Sequence, residues 1–201
     1  MLPTDSEISG APALASFSFG ATLGAQRLTL HSRQIMLALS YAIEDIAASV
    51  HDTTLIAAFQ RLAFVRPQLK RYAALTPQLA HTYILGLPDA ALPELPRTTV
   101  LPLEETWPTL HEWVVLATGP ACCVGLFAQD GDADQPARRS RHYQGCWTTD
   151  ATVVDTAAQA FLTAIGQPYQ AQARDPRALQ ETTRRVQQAI AARLRSVNAR
   201  T

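Results

Sequence analysis

HEWVVLATGPACCVGLFAQD, residues His111 to Asp130, decides the class of this fold. Two apolar runs, Trp113–Ala117 and Ala121–Ala128, flank a Gly119-Pro120 turn signal, the pattern of a β-hairpin. Neither run alternates polar with apolar, so both strands are expected to be covered on both faces, near the centre of a sheet. Glu112 enters the first strand beside Trp113. A carboxylate at the head of an apolar strand needs a partner. The reading is a structural anchor, bound either to an arginine (Arg71 or Arg61) or to backbone amides.

On the N-terminal side of the hairpin, residues 1–20 show no sustained period and read as flexible. Ser32 can cap a helix running to Val50, with Ile35, Leu39, Ile43, Ile46 and Val50 along one face. Asp52-Thr53-Thr54 reads as a fresh helix start, predicting a second helix over Thr54 to Phe64 and a third over Gln68 to Leu75. Strand signals follow at Tyr83–Leu87 and Thr98–Leu103. Beyond the hairpin and the charged loop Asp130–Arg139, His142–Thr149 reads as an aromatic strand, where Gly145 suggests a bulge or a close backbone approach. Asp150 caps a helix over Ala151–Ile165, and a last helix spans Asp175–Val197 with Pro176 in its first turn. Strands gathered between helices predict an α+β domain, with a largely antiparallel sheet of about five strands and helices packed around it.

The 201 residues suffice for one domain with a real core. At 47% hydrophobic and 17% charged, the composition is that of a globular chain. No apolar run approaches the ~18 residues of a membrane span, and the acidic N-terminus lacks the basic start of a signal peptide. A cytoplasmic protein without a membrane partner is the expectation. The cysteines are an odd count, and Cys122 and Cys123 face opposite sides of one strand, so they read as small buried hydrophobes. Net charge is zero, but the chain from Arg174 onward holds seven arginines against Asp175 and Glu181. The body before it is therefore acidic, which argues against a nucleic-acid partner.

The common nucleotide, hydrolase and metalloprotease motifs are missing. His142, Cys146 and Asp150 could be offered as a catalytic set, but positions 142 and 146 of a strand lie roughly 13 Å apart. His111-Glu112 with Glu104-Glu105 could form an acid–base or metal cluster, although carboxylates in a Pro-rich loop are usually just solvated. The cluster Arg138-Arg139-Ser140-Arg141-His142-Tyr143 could grip an anion, but Asp130, Asp132 and Asp134 offset it. The apolar stripe of the last helix serves either packing on its own acidic body or dimerisation.

Several short blocks, taken in order, resemble the DICT domain, a bacterial sensory domain associated with diguanylate cyclases and two-component systems. They are Ser32-Arg33, Leu39-Ser40-x-x-Ile43-Glu44-Asp45, Phe59-Gln60-Arg61, Arg71-Tyr72, Glu112-Trp113-Val114-Val115 and Tyr143-x-Gly145-x-Trp147-Thr148-x-Asp150. They cover about residues 20–166, leaving a linker and one basic amphipathic helix over residues 167–201. The resemblance implies a non-enzymatic sensor that binds a small ligand or senses a stimulus, with an architecture analogous to GAF or PAS sensors only at the level of fold. Its output would lie on a separate signalling protein, or signalling would work through a homodimer formed by the C-terminal helix.

The expected ligand-binding or signalling residues are Glu44, Phe59, Gln60, Arg71, Tyr72, Glu112, Trp113 and Trp147. Glu44, Arg71 and Glu112 are expected to form one polar network, with Trp113, Tyr143 and Trp147 walling a cavity. No catalytic or metal-binding residue is assigned, and the sequence identifies no cofactor. The alternative is a ligand-free adaptor that acts through the basic C-terminal helix. A third reading is an enzyme that uses His111/Glu112 or His142/Cys146.

Overall fold

The computed structural model describes residues 11–24, 28–131 and 142–199. The hairpin of β5 (Glu112–Gly119) and β6 (Cys122–Asp130) lies inside a seven-stranded mixed sheet. The other strands are β1 (Thr29–Ser32), β2 (Thr54–Arg61), β3 (His81–Leu87), β4 (Thr98–Pro102) and β7 (His142–Thr148), in the order β1-β7-β6-β5-β2-β3-β4. Pairing is antiparallel from β1 through to β2, and β2-β3-β4 are parallel. The hairpin register sets Trp113 opposite Ala128 and Gly119 opposite Cys122.

Both faces of the hairpin are buried, as the unbroken apolar runs require. Trp113, Val115 and Ala117 face a core built with α2 (Arg33–Ala48), α3 (Leu69–Leu75) and α5 (Pro176–Asn198). Val114 and Leu116 face a second core with α1 (Ala11–Ala15) and α4 (Ala151–Ala164). Cys122 joins the first core and Cys123 the second, and all three cysteines are free and buried. Burial pushes the Cys122 thiol up to about 12 and Cys123 up to about 11. At Gly145 a Cβ would sit 2.2 Å from the Phe127 carbonyl oxygen, so a close strand approach requires glycine there.

Ser32 accepts a hydrogen bond from the Ile35 amide and starts α2 (3.4 Å), and Asp150 does the same for α4 through Thr152 (2.9 Å). Three expectations are corrected. The predicted helix over Thr54–Phe64 is the interior strand β2 followed by a 3-10 turn at Leu62–Phe64; the strand is buried on both faces, and a short apolar run carries no period to tell strand from helix. The sheet therefore has seven strands and a parallel half, because β2 returns through α3 to pair with β3. Part of the segment expected to be flexible is structured: Leu14, Phe17 and Phe19 fill the second core, and Phe19 is fully buried. β1 is a short, mostly exposed edge strand without an alternation signal.

The C-terminal helix joins the body. Val186 and Ile190 lie in the first core, and Arg185 donates to Ser49 Oγ (2.8 Å). The linker before it is latched, with Arg174 donating to the Gly119 and Cys122 carbonyls and paired with Asp155. Ile190→Ala is expected to lower stability by about 2–5 kcal/mol. Urea unfolding that moves by less than about 0.5 kcal/mol would show α5 to be a loose appendage.

Candidate functional site

At the end of the sheet where β2 finishes and β5 and β7 begin, the first turns of α2 stand off from the strands. They leave a cavity of about 310 Å³. Leu37, Phe59, Phe64, Trp113 and Tyr143 give it apolar walls, and Arg33, Gln60 and Gln68 bring polar groups to it. Trp113 is held firmly. Its indole N–H donates to Ser40 Oγ (2.9 Å), Ser40 donates to the Met36 carbonyl (2.9 Å), and Tyr143 meets the ring edge-on at 5.1 Å. A cavity of this size and lining can enclose a small, largely apolar ligand.

Behind Phe59 lies a buried charge network. The Phe59 ring packs edge-on against Tyr72, with centroids 5.8 Å apart. Tyr72 donates its hydroxyl proton to Glu44 Oε1 (2.8 Å), and Arg71 Nε donates to Glu44 Oε2 (2.9 Å). Glu44 is 1% exposed. Burial raises its carboxyl above the usual range, while the Arg71 charge and the Tyr72 hydroxyl oppose the rise. The Tyr72 phenol, buried beside that carboxylate, is pushed well above its ordinary value. Arg71 continues outward to Asp45 Oδ1 (2.7 Å) and the Tyr41 carbonyl (3.1 Å). Asp45 in turn is bound by Arg193 of α5, and the Arg71 and Arg193 guanidinium groups both lie on the Tyr41 ring, at 4.7 and 5.7 Å.

Glu112 does not join this network. Side chains alternate along β5, so Glu112 lies on the face opposite Trp113. There its carboxylate accepts from Ser18 Oγ (2.6 Å) and the Phe19 (3.0 Å) and Gly20 (2.8 Å) amides. Of the two partners considered from sequence, the backbone amides are correct and the arginines are not. Arg61 pairs instead with Asp89 (3.2 Å).

The sequence-predicted residues thus fall into separate places. Phe59, Gln60, Glu112 and Trp113 border the cavity, Glu44, Arg71 and Tyr72 form the network behind it, and Trp147 packs on the same core without lining the cavity. Sequence reasoning missed Arg33, Leu37, Phe64 and Gln68 in the cavity, and Tyr41, Asp45 and Arg193 in the network. Arg33 and Asp45 stood within recognisable blocks, but which face of α2 they take depends on packing. Asp150 is spent as a helix cap, and burial raises the Cys146 thiol. His111 and Glu105 line a separate cleft with Asp130. Among the described residues no group of three or more His, Cys, Asp or Glu could hold a metal. Residues 138–141 of the basic cluster lie outside the described residues.

Arg71→Ala leaves Glu44 buried with one neutral donor, so a loss of about 3–5 kcal/mol is expected. With the opposing charge gone, burial raises the Glu44 carboxyl further. A group raised in the folded state contributes stability below its unfolded value and loses it as pH rises. The deficit of the variant should therefore be smallest near pH 4 and grow above about 4.3, the ordinary glutamate value. A pH-independent deficit in denaturant unfolding would contradict an ionic role for Arg71.

The family model for DICT, "Sensory domain in DIguanylate Cyclases and Two-component system", matches residues 18–130. No curated protein and no solved structure matches the chain, so the GAF or PAS analogy has no support from a fold comparison. The match begins at Ser18 beside Glu112, takes in the Glu44–Arg71–Tyr72 network and the Phe59 and Trp113 walls, and ends with β6. It covers more than half of the sequence, and the chain belongs to the DICT family of sensory domains.

Proposed function

We propose that this DICT domain is a non-enzymatic sensor. It binds a small molecule in the cavity beside Trp113 and passes the occupancy to α5. One observation carries the reading: an unbroken series of contacts from the cavity wall to the C-terminal helix. It runs Phe59, Tyr72, Glu44, Arg71, Asp45, Arg193. A ligand shifts a conformational equilibrium only by its differential affinity for the two states. A ligand that moves Phe59 would press on Tyr72 and the donors of a buried carboxylate, where small displacements are costly.

In this reading Trp113, Phe59 and Gln60 meet the ligand, and Tyr72, Glu44 and Arg71 transmit. Glu112 holds the N-terminal segment against the sheet, and Trp147 packs on the first core away from the cavity. The output is a separate signalling protein or a second copy that reads the exposed arginine-bearing face of α5. A ligand-free adaptor is less favoured, because Val186 and Ile190 of α5 are already spent in the core. A cytoplasmic setting suits the three free thiols. Among the described residues no helix is long and apolar enough to cross a membrane.

Native mass spectrometry of the purified chain should show a stoichiometric small-molecule mass that Trp113→Ala loses while keeping its circular dichroism. A bare wild-type mass would count against the sensor. Asp45→Asn should keep the bound mass, yet α5 amide exchange should no longer respond to its removal. An α5 response equal to wild type would place the relay elsewhere.

A further inference from the structure

We propose that the ligand of the cavity is a small aromatic carboxylate, its ring against Trp113 and its carboxylate on Arg33. This rests on the reading of the cavity as the sensory site and adds the chemistry of what fills it. Arg33 is the first residue of α2 and lines the cavity. Among the described residues it has no ion-pair partner, as is also true of Arg66, Arg97, Arg177, Arg185 and Arg195, but of these it alone lines the cavity. A guanidinium held beside an apolar cavity is a fork suited to a carboxylate, which it can meet with two parallel hydrogen bonds. The cavity is also at the N-terminal end of a helix, where the backbone dipole favours negative charge.

The one carboxylate on the lining does not reverse that sign. The Glu112 carboxylate is turned to the face of β5 opposite Trp113, where Ser18, Phe19 and Gly20 hold it, so it does not face a ligand lying on the indole. The walls ask for a flat apolar body. The Trp113 N–H is already given to Ser40, so the indole has its faces rather than a hydrogen bond to present. Phe64, on the same lining, remains 44% exposed, a large apolar surface that a ring would cover. Size limits the ligand further. The cavity has the volume of about ten liquid waters at about 30 Å³ each, the scale of a single ring with a short acidic arm.

Phenylacetate and its neutral isostere phenylacetamide are the probes, titrated into the full chain by calorimetry with Trp113 fluorescence as a second readout. Phenylacetate is expected to bind at least about tenfold tighter than the amide. Arg33→Gln should abolish that preference, weakening the carboxylate far more than the amide, and leave the unfolding midpoint unchanged because Arg33 is exposed. Arg33→Lys should keep part of the preference.

Equal binding of the two probes, or a carboxylate preference that survives Arg33→Gln, overturns the anionic ligand. The sensory pocket would still stand if the purified chain carries a bound mass. No binding of either probe, even at millimolar concentration, overturns the aromatic carboxylate as well. The same result with a bare native mass would remove the pocket reading with it.

Discussion

A carboxylate taken out of water must be met by donors, and Glu44 is met by one partly buried guanidinium and one fully buried phenol. That requirement organises one whole side of the molecule. It pins α3 to α2 through Arg71 and Tyr72. It also orients Arg71 so that its remaining donors reach Asp45 and Tyr41. Asp45 then receives Arg193, so the last helix is tied to Glu44 through Arg71 and Asp45. Breaking a buried pair costs more than forming it contributes. The arrangement therefore fixes geometry more than it adds stability, as the proposed relay requires.

A second carboxylate does for the other face what Glu44 does for the first. Glu112 gathers a hydroxyl and two consecutive backbone amides, and so seats Phe17 and Phe19 between the sheet and α4. The cavity opens between these two anchored regions. On one side it has the rigid start of β5, and on the other Phe59, which leans on Tyr72. Its walls are thus unequal: Trp113 is held by Ser40 and Tyr143, while Phe59 rests on Tyr72 and the charge network behind it.

Sequence was most legible where one residue type has one physical use. The hairpin was readable from two apolar runs and a Gly-Pro turn, and α2 and α4 from their Ser32 and Asp150 caps. Thr54–Arg61 was not, because a strand covered on both faces has no polar alternation, and Asp52-Thr53-Thr54 imitates a helix cap. Asp52 instead turns the chain at φ 56°, and Thr53 donates to the Val50 carbonyl. That one misreading hid the parallel half of the sheet. The site was legible in its residues but not in its grouping. Glu44, Arg71 and Tyr72 were singled out and do meet, yet Glu112 was placed with them although its neighbour Trp113 faces the opposite side. Arg193 could not be joined to Asp45 from sequence, since their meeting depends on how α5 lies across α2.

The central claim is that Phe59 at the cavity wall and Arg193 on α5 are energetically one system, joined through the buried Glu44 network. A double-mutant cycle on unfolding free energy between Phe59→Leu at the cavity wall and Arg193→Gln on α5 tests it most directly. Substitutions with no shared partner add to within about 0.3–0.5 kcal/mol. Coupling carried by Tyr72, Glu44, Arg71 and Asp45 predicts a non-additive difference larger than that. Strict additivity would contradict the relay.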